Sequence, residues 1–181
     1  MKQLKLVQVG NPLFRKTCTR FSDADIVSGA TKQIVDQMMY TMRKIHGVGL
    51  AAPQIGLQKQ LFVLRLQPTK YRPHIKIVKP YTVFNPQILS NGVQTNTDWE
   101  GCFSVAKAGL FAEVTRPQSI KVKYQNARAE IIERTIEGLE ARVFQHEYDH
   151  LQGQVFLNRP HEPATYMSAD EYKAMRARQA G

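Results

Sequence analysis

The sequence predicts an α+β fold in which antiparallel β-sheet packs against helices. Strand patterns fill the middle of the chain, one helical pattern precedes them and another follows. The 181 residues, 43% of them hydrophobic and 22% charged, are typical of a single globular domain, so residues 1–181 are treated as one domain. This composition argues against a disordered tail, a collagen-like fibre and a membrane-spanning protein.

The first predicted element is a helix over residues 23–45. Ser22 is a suitable N-cap, and Gly47 is expected to end the helix. Apolar residues recur at steps of three and four along it: Val27, Ala30, Ile34, Val35, Met38, Met42 and Ile45. We therefore expect this face, with its methionines, to lie in the core.

Strands are predicted next, on either side of a long loop. Residues 61–64 are a short apolar run of strand length, and residues 81–84 resume a strand before Asn85 and Pro86. Residues 67–80 contain three prolines and many basic side chains, which predicts an exposed, extended loop.

A strand pair and a second helix complete the pattern. Residues 120–124 alternate between apolar side chains and lysines, as a half-buried strand does. Residues 125–128 fit a turn, and residues 130–136 fit the returning strand. A helix is predicted from residue 138 to residue 152, followed by Gly153.

The charge distribution bears on the binding partners of the protein, and the two cysteines bear on its cellular compartment. The net charge is +10, and residues 37–97 hold eight lysines and arginines but no acidic residue. This basic span could contact ribosomal RNA or could be a solvated surface; the second is favoured, because no interleaved aromatic platform is visible. Cys18 and Cys102 offer no disulfide framework, and no signal peptide is visible, so we expect a cytoplasmic protein.

The second helix carries the strongest chemical signal, residues 146–150, which read H-E-Y-D-H. Positions i and i+4 lie above each other on a helix, so both imidazoles can reach one metal ion with Glu147 beside it. The histidines continue an apolar stripe that begins at Leu139 and Val143, which predicts that they face inward. The opposite side of the helix is polar: Arg142, Gln145, Asp149 and Gln152.

The pentad supplies two ligands, whereas a catalytic zinc-type site usually has three. The metzincin pattern needs a histidine where this chain has Phe156, which excludes that protease class. Glu171, 21 positions after His150, fits the spacing of another class of zinc endopeptidase. The other possible donors are His46, His74, His161, Cys18 and Cys102.

Cys102 has the most suggestive context, W-E-G-C-F-S-V. Gly101 lets the backbone approach a ligand closely, and a metal ion would hold the thiolate deprotonated. A thiolate beside two imidazoles suits iron(II), zinc or a related ion. A compact loop of glycine and alanine, residues 47–56, could pair its backbone with a peptide-like substrate, and Gln54 offers an amide donor to an oxyanion.

Three segments, in this order, together resemble the peptide deformylases. They are G-x-G-x-A-A-x-Q at residues 47–54, E-G-C-x-S at residues 100–104 and Q-H-E-x-D-H at residues 145–150. The resemblance extends from about residue 10 to Phe156. Phe103 stands where many bacterial members have leucine, and the stretch 67–80 is longer than in compact bacterial forms, so the chain resembles the mitochondrial-like branch in these respects.

The resemblance implies a metal-dependent hydrolase that removes the formyl group from the N-terminal N-formylmethionine of nascent polypeptides and releases formate. It implies that Cys102, His146 and His150 bind one divalent ion, usually iron(II), with zinc or nickel also accommodated. It also implies antiparallel β-sheets packed around a central metal-binding helix.

The resemblance further implies a role for individual residues. Glu147 would be the general base, and Gln54 with the backbone N–H of Phe103 would stabilise the oxyanion. Substrate-binding positions would be Val48, Gly49, Gly101, Leu139 and Val143. The expected partner is an N-formylmethionyl peptide, and we expect a monomer that does not associate with membranes. Transient proximity to the ribosome through the basic span 37–97 stays open beside the favoured interpretation of a solvated surface.

Two other functions stay open at this point. One is a zinc endopeptidase with Glu171 as the third ligand, and the other is a basic ribosome- or RNA-associated module with a structural metal. Loss of Cys102 separates the endopeptidase from a deformylase, because an endopeptidase would keep its metal and its activity. The RNA-associated module would instead unfold on metal removal and would not turn over formylated peptides.

Overall fold

A computed structural model of the chain describes residues 1–68, 74–159 and 165–180. The helices are α1 (Asp23–Ile26), α2 (Gly29–Lys44), α3 (Gly138–Leu151) and α4 (Ala169–Ala180). The strands are β1 (Gly49–Ala51), β2 (Leu61–Leu66), β3 (Val78–Asn91), β4 (Thr95–Gly101), β5 (Leu110–Pro117), β6 (Ser119–Gln125), β7 (Ile131–Glu137) and β8 (Met167–Ser168). Within these ranges, no helix is both long enough and apolar enough to cross a bilayer.

The strands form two antiparallel sheets, which confirms the predicted α+β class. The larger sheet has the order β1-β2-β3-β6-β7, and the smaller has the order β4-β5-β8. Helix α3 contacts strands of both sheets. In the larger sheet, Phe62 meets Phe144 of α3 edge to face, with ring centroids 4.9 Å apart. The H-E-Y-D-H pentad, residues 146–150, therefore lies on a helix that is packed against both sheets.

Strand β2 is covered on both faces, which explains its uninterrupted apolar sequence. Phe62 and Leu64 face the core shared with α3, whereas Leu61 and Val63 face the core shared with α2. Strands with two buried faces lose the alternation of apolar and polar residues. The predicted strand at residues 61–64 is thus confirmed and extends to Leu66.

The predicted helix over residues 23–45 is two helices. Helix α1 ends at Ile26, and Ser28 begins α2 by accepting a hydrogen bond from the backbone N–H of Thr31. Because the break resets the helical phase, Val27 is 60% exposed instead of buried. At the other end, His46, not Gly47, has a positive φ (56°), and the Gly47 N–H donates to the Met42 carbonyl at 2.8 Å.

Strand β3 is longer than predicted. It begins at Val78, inside the predicted loop 67–80, and continues through Asn85 and Pro86 to Asn91. Asn85 has a φ of 50°, and the register shifts beside it, so a bulge lets the strand continue past the proline. Residues 69–73 of the predicted loop lie outside the described residues.

The smaller sheet is absent from the sequence predictions. In β5, buried Ala112, Val114 and Arg116 alternate with residues that are at least partly exposed. A period of two is therefore present, but an arginine in the buried series hides it from a count of apolar residues. The buried arginine belongs to the functional site.

Candidate metal centre

Two elements bring the three predicted ligands together. Cys102 directly follows β4, whereas His146 and His150 lie one turn apart on α3. The Sγ of Cys102 lies 3.3 Å from Nε2 of His150, and one donor atom from each of the three residues lies within 4.8 Å of the others. Cys102 and His150 are buried, and His146 is half-buried. The arrangement fits three ligands around one divalent cation.

Glu100 orients one of these histidines. Its Oε2 lies 2.9 Å from Nδ1 of His146, which leaves Nε2 as the ring nitrogen that can bind a cation. A carboxylate behind a ligating imidazole fixes the ring and raises its basicity. Arg116 holds the same carboxylate through two hydrogen bonds, of 2.6 and 2.8 Å, and Arg142 adds a third at 2.7 Å.

This network keeps Glu100 charged inside the protein. Burial alone would raise its pKa, but hydrogen bonds from Arg116 and His146 outweigh burial and hold the pKa well below its usual range. Arg116 also donates to Asp149 of α3 at 2.9 Å. Arg142, Gln145 and Asp149 are buried, so three of the four polar residues predicted to lie opposite the inward stripe face inward as well.

Replacing Arg116 with methionine is expected to lower the free energy of unfolding by about 3 kcal/mol. Arg116 is 2% exposed, and its loss leaves two buried carboxylates, Glu100 and Asp149, with fewer cationic partners. The comparison is Lys121→Met, which breaks the exposed pair with Glu133 and should cost less than about 1 kcal/mol. Chemical denaturation measures both; equal, small losses would contradict the assigned role of the network.

Glu147 lies beside the three predicted ligands, and among the described residues one of its oxygens has no hydrogen-bond partner. It is 4% exposed, and its Oε2 makes no hydrogen bond to any residue that the structure describes. Burial, the largest effect, raises its pKa to about 7, and a cation nearby would lower it. Gly49 makes room for it, since an added Cβ would lie 2.7 Å from Cδ of Glu147. The orphaned oxygen fits a site that receives water and a cation.

Gln54 and Phe103 are held in fixed orientations. Oε1 of Gln54 accepts from the Ala51 N–H at 2.8 Å, so its Nε2 points to Sγ of Cys102, 3.4 Å away. The carbonyl of Cys102 accepts from the N–H groups of Val105 and Ala108, at 2.9 and 3.2 Å. That peptide plane carries the N–H of Phe103, whose direction is thereby fixed.

A cavity of about 310 Å³ opens beside these groups. All five predicted substrate-binding residues line it: Val48, Gly49, Gly101, Leu139 and Val143. Gln54, Phe103, Cys102, His146 and Glu147 line it too. Sequence reasoning assigned no role to Gln67, Ile75, Trp99, Ala108, Phe111 or Tyr172 on the same cavity, and it listed His46 only as a possible metal ligand. Trp99 lies in the segment that contains Cys102, whereas no local motif connects the others.

None of the other possible third ligands that the structure describes joins the centre. Glu171 is exposed at the start of α4, and among the described residues only Cys102 completes a metal-binding group with His146 and His150. The endopeptidase alternative required Glu171 as the third ligand, and that assignment is therefore wrong. His161 lies outside the described residues, and Cys18 is a buried thiol whose pKa burial raises to about 11.

Fold and site together define a metal-dependent hydrolase. The family model described as "Polypeptide deformylase" matches residues 3–165. The chain is 39% identical over 153 residues to the peptide deformylase of Thermotoga sp. (83% of this chain, 82% of the relative), and 31% identical over 172 residues to peptide deformylase 2 of Nostoc sp. (95% and 94%).

Solved structures agree with the sequence matches. The Met-Ala-Ser-bound class I type b peptide deformylase of Acinetobacter baumannii superposes with a TM-score of 0.84 at 30% identity, over 88% of this chain and 99% of that one. The enzyme of Thermotoga maritima gives 0.76 at 35% identity, over 90% and 100%. The chain belongs to the peptide deformylase family, which confirms the predicted activity, hydrolytic removal of the N-formyl group from nascent peptides.

Proposed function

We propose that Cys102, His146 and His150 bind one iron(II) ion and that the site cleaves the formamide bond of N-formylmethionyl peptides. The observation that carries this proposal is the convergence of one sulfur and two imidazoles beside a buried glutamate with an unpaired oxygen. Such a donor set, with one position left for water or substrate, is typical of catalytic rather than structural sites. A bound divalent ion would supply Lewis acidity, lowering the pKa of water and polarising a carbonyl.

Glu147 is the proton carrier of this reaction. Its unpaired Oε2 accepts the proton of the attacking water, and the carboxylate then returns that proton to the leaving amine as formate separates. Burial raises the pKa of this carboxyl group and a nearby cation would lower it, so the two effects oppose each other. The close contact with Gly49 limits its movement between them.

Gln54 and Phe103 stabilise the negative charge that develops on the formyl oxygen. Nε2 of Gln54 is held toward the ligand Cys102, and the N–H of Phe103 belongs to a fixed peptide plane. Donors already oriented toward developing charge need no reorganisation during the reaction. The replacement of leucine by Phe103 changes the side chain and leaves this N–H in place.

The substrate lies along β1 with its methionine in the apolar part of the cavity. In the described part of the larger sheet, β1 is the edge strand, so its outer backbone groups can pair with an extended peptide. Val48 is 36% exposed there and, with Leu139 and Val143, offers an apolar surface to the methionine side chain. The match to an enzyme solved with Met-Ala-Ser supports this placement.

The test is release of formate from formyl-Met-Ala-Ser by protein purified without oxygen and analysed for metal. We expect about one iron ion per chain, turnover of the formyl peptide, and loss of turnover when a chelator removes the metal. Restoring iron(II) should restore activity more fully than restoring zinc. Acetyl-Met-Ala-Ser is the matched substrate that should release no acid. Absence of formate from metal-loaded protein would refute the proposal.

The cellular setting is part of the same proposal. Formylated chains emerge from ribosomes, so a cytoplasmic enzyme acting as a monomer near the ribosome suits this substrate. The span 37–97 carries eight basic residues and no acidic one, a charge that would favour contact with anionic RNA. Salt-dependent cosedimentation with ribosomes tests this contact.

A further inference from the structure

Helix α4 brings an aromatic side chain to the cavity beside the metal centre. The ring of Tyr172 stacks on that of Phe111, with centroids 4.1 Å apart and planes at 7°. Trp99 of β4 lies against Tyr172, with centroids 6.2 Å apart. All three rings line the cavity. We call Trp99, Phe111 and Tyr172 the aromatic wall.

The aromatic wall begins directly next to a predicted metal ligand. Phe111 pairs with Gly101 across β4 and β5, and an added Cβ on Gly101 would lie 2.6 Å from Cε1 of Phe111. The missing side chain at Gly101 thus lets the ring approach the backbone just before Cys102. Tyr172 continues the aromatic surface one ring further from this point.

Separate contacts hold Tyr172 in place. Strand β8, directly before α4, pairs with β5, and Arg176 forms a 2.7 Å ion pair with Asp98 of β4. Nε of Arg176 also donates to the Tyr172 hydroxyl at 3.2 Å. The ring is therefore oriented before any substrate arrives, so contacting it costs little conformational entropy.

We propose that Tyr172 is a specificity-determining residue that favours an apolar or aromatic side chain downstream of the formylmethionine. This inference rests on the proposed function: with the methionine against Val48, Leu139 and Val143, the rest of the peptide must leave through the remaining cavity, where the aromatic wall lies. The family match ends at residue 165, before α4, so Tyr172 lies outside the matched region.

The experiment compares kcat/KM for four substrates: formyl-Met amide, formyl-Met-Ala-Ser, formyl-Met-Phe-Ser and formyl-Met-Ala-Phe. We expect the unaltered enzyme to prefer at least one phenylalanine peptide to formyl-Met-Ala-Ser by about 3- to 10-fold, mainly through KM. Tyr172→Ala should abolish that preference and leave formyl-Met amide unaffected. Tyr172→Phe should keep it, because the ring remains. Glu171→Ala, on the exposed side of the same helix, is the control and should change nothing.

Each outcome decides the inference. A Tyr172→Ala enzyme that loses the same factor on all four substrates has lost only a structural contact, and one that keeps the preference does not use the ring; either result overturns the proposal. If Tyr172→Ala does not fold, Tyr172→Leu takes its place. Leucine retains apolar bulk but lacks the ring, so this variant too should lose the preference for the phenylalanine peptides. Failure of the unaltered enzyme to release formate from any substrate would instead refute the proposed function.

Discussion

Replacing Glu147 with glutamine is expected to lower kcat about 1,000-fold while the metal content stays unchanged. Glutamine has nearly the same shape but cannot accept the proton that the unpaired Oε2 is placed to take. None of the three predicted ligands is altered, so metal binding should persist. Formate release and metal analysis on the same preparation measure the two quantities separately.

Glu171→Gln is the matched control for this prediction. Glu171 is an exposed carboxylate outside the metal group, so its amide should leave kcat and metal content unchanged. A Glu147→Gln enzyme within tenfold of the original kcat would assign the proton transfer to another group. Simultaneous loss of metal would show that Glu147 contributes to binding the ion.

Replacing Cys102 with alanine is expected to remove both the metal and the activity. The sulfur is one of three donor atoms within 4.8 Å of one another, and two imidazoles alone form an incomplete site. Loss of a partner behind a ligand weakens metal binding about 10- to 100-fold, so loss of the ligand itself should weaken it by more than about 100-fold. Metal stoichiometry after dialysis, together with formate release, provides the measurement.

Cys18→Ala is the control, because it removes the other buried thiol without touching the centre. Cys18 is 3% exposed, donates to Oε1 of Gln58 and lies outside the metal group, so this variant can lose some stability but should keep its metal and kcat. If Cys102→Ala keeps a full complement of metal, the sulfur is not a ligand. Activity in that variant would reopen the choice of reaction class.

The sequence predicted the part of the site whose residues lie close together in the chain. His146 and His150 are four positions apart on one helix, so the helical repeat alone brings them to one face. Cys102 could not be assigned from local spacing, because several other residues were possible third ligands. Only the resemblance of three motifs in this order to one family selected the thiol. The close contact of Gly49 with Glu147 has no local signal, because it joins an edge strand to a helix about 100 residues later.

The elements that sequence reasoning misjudged share one physical cause. Val27 was assigned to a buried face, yet a serine cap one residue later restarts the helix and leaves it 60% exposed. Strand β3 continues through a proline because Asn85 adopts a left-handed conformation that its hydrogen bonds with Phe21 hold in place. In each case a cap or a contact with another segment outweighs the local pattern.

The sequence by itself determined the α+β class, the helix with its two imidazoles and glutamate, and the order of motifs that defines the family, because each depends on local periodicity or spacing. The tertiary structure alone decided the smaller sheet, the burial of Arg116 between Glu100 and Asp149, and the arrival of Tyr172 at the cavity. Burial of Arg116 and the position of Tyr172 at the cavity are favourable only because residues of other elements contact these side chains. Such long-range contacts cannot be read from a local sequence pattern.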